Sequence, residues 1–336
     1  MSLKDRGRTD LRKDPVTLSW VIQEEEEVEA VSPDTGACLI CPGAEAQCPP
    51  NIYEHPFGTP RWQVRVIPHF APLYRIEGDA QRSAVGVYDK MRTIGAHEVV
   101  VEHRDHNLTL SQQSDENVAQ VLRAFVSRLG DLKKDRRFKY MTVFRNEGSL
   151  AGEEFKHPHS EITATPFVPR RVGYELRSAQ RYFKVKDRCL FCDILRQELT
   201  EKVRSVESDE RFLAFCPFAS RVPYETWLIP IDHHSAFEEH LTSWDDQLRL
   251  GRLLKSVLGR LEKVAPAYHL VLHSSPNVRA KWERHDIWQT VGEDYHWHFE
   301  ILPVIPSKSS SYSLKEVYYN SVRPEAAAET LRKLAG

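Results

Sequence analysis

No apolar run in the 336 residues approaches the ~20 needed for a helix to cross a bilayer, which excludes a helical membrane span. Excess charge of one sign is also missing. Forty-six Lys and Arg stand against 48 Asp and Glu, and a net charge of −2 offers no electrostatic footprint for nucleic acid. Cysteine is sparse: six in the chain are too few for a disulfide scaffold at this length. The polar opening, Met1 to Asp10, lacks the apolar segment of a secretory leader, so a cytoplasmic protein is expected. What remains is ordinary globular composition, 41% hydrophobic and 28% charged, in a chain long enough for two domains with cores of their own.

The few cysteines are not scattered. Four form two C-x-x-C pairs, Cys38/Cys41 and Cys189/Cys192, while Cys48 and Cys216 stand alone. In a reducing compartment such pairs mean a metal site or a redox couple, and no thioredoxin-like βαβ pattern surrounds either one. Each pair also opens a repeated series. A strand pattern ends in Asp105-His106 in the first half, as Trp227 to Ile231 ends in Asp232-His233 in the second. Ser114 and Ser243 each precede a helical run of apolar residues, Val118 to Leu129 and Leu248 to Leu261. A further strand follows in both halves, then H-x-H-x-E at His157 to Glu161 and at His296 to Glu300. Five features matched in order imply a duplicated pair of α+β domains, 1–172 and 173–336, each an antiparallel sheet with helices packed on it. Each half offers two cysteines and two histidines, a tetrahedral zinc set. Cys38, Cys41, His106 and His157 are assigned to one Zn²⁺, and Cys189, Cys192, His233 and His296 to the other. Both sets are closed, so their role is structural. His103 and His234 are the competing ligands in the two halves.

The chemistry centres on His157-Pro158-His159. Proline fixes its own φ and holds the residue before it extended, so the two imidazoles have a stiff relative placement. An isolated H-P-H reads as ordinary loop histidines; the zinc set changes that. With His157 held by metal, His159 is left in a rigid frame as a neutral nucleophile able to split one displacement at phosphorus into two. The loop between Gly148 and Gly152 can bring backbone N–H groups to phosphate oxygens.

These residues resemble the galactose-1-phosphate uridylyltransferases, a branch of the histidine-triad superfamily. The resemblance runs along almost the whole chain. It rests on Leu11-Arg12-Lys13-Asp14-Pro15-Val16-Thr17, Trp20-Val21-Ile22, Cys38-x-x-Cys41-Pro42-Gly43, Arg65-Val66-Ile67-Pro68, Asn146-x-Gly148, Gly152 and His157-Pro158-His159, in the family's order. It implies tandem histidine-triad-like domains, a homodimer, and ping-pong transfer of a nucleotidyl group from a nucleotide sugar to a sugar 1-phosphate. Carried over, His159 is the nucleophile, His157 a zinc ligand, and Asn146, Gly148 and Gly152 substrate contacts. The sequence departs from the family where substrate phosphate is held. Glu161 replaces a Gln beside the nucleophile, Glu154 a Ser, His69 an Asn, and Glu27 an Arg. A carboxylate ~4 Å from a phosphate charge costs on the order of 4 kcal/mol at an effective dielectric of 20. Glu161 is kept as a catalytic residue and His69 and Glu154 as substrate-binding ones. Two alternatives stand beside transfer: a nucleotide-sugar phosphorylase or hydrolase using the same covalent histidine, and a zinc-stabilised homologue that binds without turnover.

Overall fold

A computed structural model describes residues 9–24, 38–283, 287–306 and 317–334. Glu27 and the polar stretch Ser307 to Ser311 lie outside them. The first half contains β1 (Thr9–Lys13), β2 (Trp20–Glu24), β3 (Tyr53–His55), β4 (Val64–Pro68), β5 (Ser83–Val85), β6 (Tyr88–Arg92), β7 (Ala96–Val101), α1 (Asp115–Leu132), β8 (Tyr140–Glu147) and β9 (His159–Thr165). The second contains α2 (Arg170–Lys186), α3 (Leu190–Glu201), β10 (Ser205–Ser208), β11 (Phe212–Phe215), β12 (Thr226–Pro230), α4 (Phe237–His240), α5 (Trp244–Leu261), β13 (Tyr268–His273), α6 (Val291–Asp294), β14 (His298–Pro303) and α7 (Pro324–Lys333). The architecture is α+β.

Ten strands form one antiparallel sheet in the order β10-β11-β12-β14-β13-β8-β9-β7-β4-β3. The order is symmetric about its middle. Reading outward, β8-β9-β7-β4-β3 on one side is matched by β13-β14-β12-β11-β10 on the other, as a duplication requires. The halves join through backbone pairing of β8 with β13, from Tyr268 opposite Glu147 to Leu272 opposite Val143. The division we propose between residues 172 and 173 falls in the first turn of α2. A separate four-stranded sheet, β2-β1-β6-β5, is built from the opening residues and the hairpin of Ser83 to Arg92.

Both serines expected to cap helices do so. Ser114 Oγ accepts from the Asn117 N–H and Ser243 Oγ from the Asp246 N–H, each at 3.1 Å. The apolar stripes of α1 and α5 then bury Val118, Val121, Leu122, Phe125 and Leu129 beside Leu250, Leu254, Val257, Leu258 and Leu261 in one core shared by both halves. Strand alternation sends Ile162 and Ala164 of β9 into this core, leaving His159 and Glu161 on the opposite face. On that face Ile40, Trp62, Ile67, Val99 and Val101 form a smaller cluster, with Cys38, Phe70 and Phe155 packed against it. His159 meets Phe155 of this second cluster edge-on, with ring centroids 5.1 Å apart.

Candidate functional site

The four ligands proposed in each half do meet. Cys38, Cys41, His106 and His157 place their ligand atoms within 4.8 Å of one another, and so do Cys189, Cys192, His233 and His296. Tautomers decide whether these sets suit a metal. His157 Nε2 lies 2.7 Å from the His103 carbonyl, to which it donates its proton, so the Nδ1 lone pair is free. That Nδ1 lies 3.4 Å from Cys41 Sγ. His233 repeats the arrangement, with Nε2 2.9 Å from the Gly292 carbonyl and Nδ1 3.3 Å from Cys192 Sγ. An imidazole whose outer nitrogen donates to a carbonyl is oriented as metal-bound histidines are. Burial pushes the His157 pKa down to about 4, which keeps it neutral. Of the competing ligands, His103 contributes its carbonyl to this arrangement and His234 stacks on His240 at 3.7 Å.

His159 begins β9, two residues beyond His157. Its Nδ1 lies 2.8 Å from the His157 carbonyl and donates to it, so Nε2 carries the lone pair. Nε2 has no hydrogen-bond partner among the described residues, and the imidazole lines a cavity of about 290 Å³. Burial holds the His159 pKa below its ordinary value, favouring the neutral form. The residue is locked from behind. Arg145 of β8, fully buried, donates to the His159 carbonyl at 2.8 Å and pairs with Glu102 and Glu147, while Ser160 Oγ also donates to Glu102. Neither Arg145 nor Glu102 was singled out by sequence reasoning.

The remaining expected contacts are placed as follows. Asn146 lines the same cavity and its Oδ1 accepts from His269 Nδ1 at 2.8 Å, tying β8 to β13. Gly148 has φ of 84°, and a Cβ there would lie 2.9 Å from the Pro266 carbonyl, so the second half demands this glycine. Its N–H donates to Glu153 at 3.0 Å. Gly152, with φ of 73°, is open to solvent on the side where a Cβ would project. Glu161 is buried and lies 2.6 Å from His97 Nε2, and Glu154 lies 3.2 Å from His69 Nε2. His97 was missed from sequence. Its signal was a histidine in phase with the buried Val99 and Val101.

Residues 9–169 match the model of the galactose-1-phosphate uridyl transferase N-terminal domain. The chain is 29% identical to an ADP-glucose phosphorylase of Arabidopsis thaliana over 97% of its own length and 93% of the relative's. It is 27% identical to a galactose-1-phosphate uridylyltransferase of Thermotoga maritima, over 96% and 98%. Its first half matches that family's N-terminal domain, and nearly its whole length is similar to members of the family. Among solved structures of the family, the Arabidopsis ADP-glucose phosphorylase with bound ADP-glucose superposes with a TM-score of 0.77 at 28% identity, covering 96% of this chain and 97% of that one. A uridylyltransferase structure superposes with a TM-score of 0.80 at 26% identity, covering 97% and 98%.

The second half does not repeat the open imidazole of the first. His298 begins β14 as His159 begins β9, and its Nδ1 likewise faces a carbonyl, that of His296, at 3.1 Å. It is wholly buried and enclosed by Glu175, His273 and Glu300, with Arg171 and Arg221 bonded to Glu300. The open imidazole is His159.

Proposed function

We propose that this protein transfers a nucleotidyl group from a nucleotide sugar to a phosphate-bearing acceptor through a covalent nucleotidyl-histidine on His159. The observation that carries the reading is the tautomer of His159. Its proton is committed to the His157 carbonyl, and its Nε2 lone pair is left unpartnered beside the cavity. In the first step Nε2 bonds to the α-phosphorus and the phosphorus–oxygen bond to the departing sugar 1-phosphate breaks. In the second, an acceptor phosphate oxygen bonds to the same phosphorus and the phosphorus–nitrogen bond breaks. Asn146 and Lys156, both lining the cavity, are placed to orient the substrate phosphates. Arg145 holds the nucleophile's own backbone in position.

Zinc is the ion we propose for the two Cys₂His₂ sets, since thiolates with neutral imidazoles are a normal tetrahedral zinc donor set. It supplies rigidity and takes no part in the displacement. A homodimer and a cytoplasmic location belong to the same proposal.

The relatives leave two acceptor classes, a sugar 1-phosphate as in the uridylyltransferases and inorganic phosphate as in the phosphorylase. The experiment offers UDP-glucose or ADP-glucose with galactose 1-phosphate or inorganic phosphate and follows products by ³¹P NMR. Transfer is expected with at least one pairing, and the productive pair names the acceptor. Exchange of labelled glucose 1-phosphate into the donor, without any acceptor, is expected of the covalent route. No turnover in any pairing would favour the binding-only alternative.

A further inference from the structure

Beside His159 four titratable side chains converge: His69, His97, Glu154 and Glu161. The His69 and His97 rings stack with centroids 4.1 Å apart and 3° between planes. By spacing alone His69, His97 and Glu161 suit a metal ion. Their tautomers do not. The backbone N–H of Ala71 donates to His69 Nδ1 at 3.0 Å, and that of Leu73 donates to His97 Nδ1 at 3.2 Å. A neutral imidazole carries one proton, so each accepting Nδ1 places that proton on Nε2, where no lone pair is left for a metal. The single ring proton of each therefore sits on Nε2, which in His97 meets Glu161 and in His69 approaches Glu154 at 3.2 Å without a hydrogen bond. This is the reverse of the His157 and His233 arrangement.

His97 therefore donates to Glu161 and fixes Oε2 as an acceptor. The second Glu161 oxygen has no hydrogen-bond partner among the described residues. Glu161 follows His159 by two on β9 and projects from the same face. Phosphate oxygens only accept hydrogen bonds, so a carboxylate beside them contributes repulsion alone. A carboxylic acid does better: Oε2 still accepts from His97 while Oε1 donates to phosphate, the pattern of a primary amide. We propose that Glu161, which stands beside His159 and outside the residues lining the cavity, takes up a proton from solvent when a phosphate group binds against His159, and that His97 is the positioning residue that aims the resulting acid. This rests on reading the cavity as a phosphate pocket.

The groups facing Glu161 are His97 from β7, His159 from its own strand, and His69 and Glu154 from the loops after β4 and before β9. Arg145 of β8 is engaged by Glu102 and Glu147. Glu154 is exposed and is the other carboxyl that could take the proton, so the test must tell the two apart.

Calorimetric titration of the full chain with AMP and UMP, in buffers of differing ionisation enthalpy above pH 7.5, counts the protons. About one proton should be taken up per nucleotide bound, and affinity should fall about tenfold per pH unit as pH rises toward 8.5. In Glu161→Gln both effects should vanish. His97→Phe should weaken AMP binding at least tenfold, and His97→Gln, which keeps a donor toward Oε2, should recover most of it. Nucleotide binding by the unmodified protein without proton uptake would overturn the inference and leave the proposed function standing. Uptake that persists in Glu161→Gln would overturn it by assigning the proton to another group, Glu154 or the open His159 imidazole, and equal losses in the two His97 variants would reduce His97 to a packing residue. If neither nucleotide binds at any pH to the unmodified protein or to Glu161→Gln, the phosphate-pocket reading fails and this inference with it. The proton count and pH slope of the unmodified protein decide the matter even where a variant does not fold.

Discussion

His159→Asn should lower nucleotidyl transfer by roughly 10⁴-fold or more while leaving fold and metal content unchanged. Asparagine can still donate toward the His157 carbonyl, so the local backbone keeps its partner. What it lacks is the nitrogen lone pair. Removing a nucleophile removes the whole covalent route, and losses of this size follow when no second group can substitute. His298, the corresponding imidazole of the second half, is sealed among Glu175, His273 and Glu300 and has no path to substrate. The check is initial-rate measurement of the variant with the productive donor and acceptor, beside its circular dichroism and metal analysis. A variant within tenfold of the unmodified rate would remove His159 from the chemistry.

Loss of a zinc ligand should be almost as damaging, by a different route. Elemental analysis should find about two zinc ions per chain, and Cys38→Ser and Cys189→Ser should each remove one. The first substitution reaches the nucleophile. His157 presents Nδ1 to Cys41 at 3.4 Å, and its carbonyl accepts the His159 Nδ1 proton at 2.8 Å. Freeing His157 therefore frees the group that sets the His159 tautomer. Cys38→Ser should destabilise the protein by roughly 3 kcal/mol or more and also depress turnover. Cys189→Ser should cost stability with a smaller effect on rate, because its cluster adjoins the sealed half. Retention of both ions in either variant would show the ligand sets to be wrong.

The two Cys/His clusters and the open imidazole of His159 were legible because they rest on short spacings. C-x-x-C, the histidine after aspartate and H-x-H recur in the same order in both halves, and helix caps at Ser114 and Ser243 mark the same phase. The joined sheet was not legible. Pairing of β8 with β13 links residues more than a hundred apart, and no local pattern specifies a partner strand across that distance. Arg145 escaped notice for a similar reason. Inside an apolar strand it reads as an outward-facing charge, and only Glu102 and Glu147 arriving from elsewhere explain its burial. The tautomers of His69 and His97 depend on the backbone N–H groups of Ala71 and Leu73, which sequence does not display. The same residue type thus presents a free Nδ1 beside thiols, a free Nε2 beside a cavity and an Nε2–H donor within one small region, sorted by which ring nitrogen its neighbours occupy.

The central claim is the covalent bond to His159, and trapping it is the most direct test. The protein is incubated with ³²P-labelled UDP-glucose or ADP-glucose without acceptor, denatured, and mapped by peptide mass spectrometry. The expected result is an acid-labile, base-stable phosphoramidate on His159, discharged by the productive acceptor before denaturation. Label on any other residue, or turnover with no protein-bound label, would contradict it.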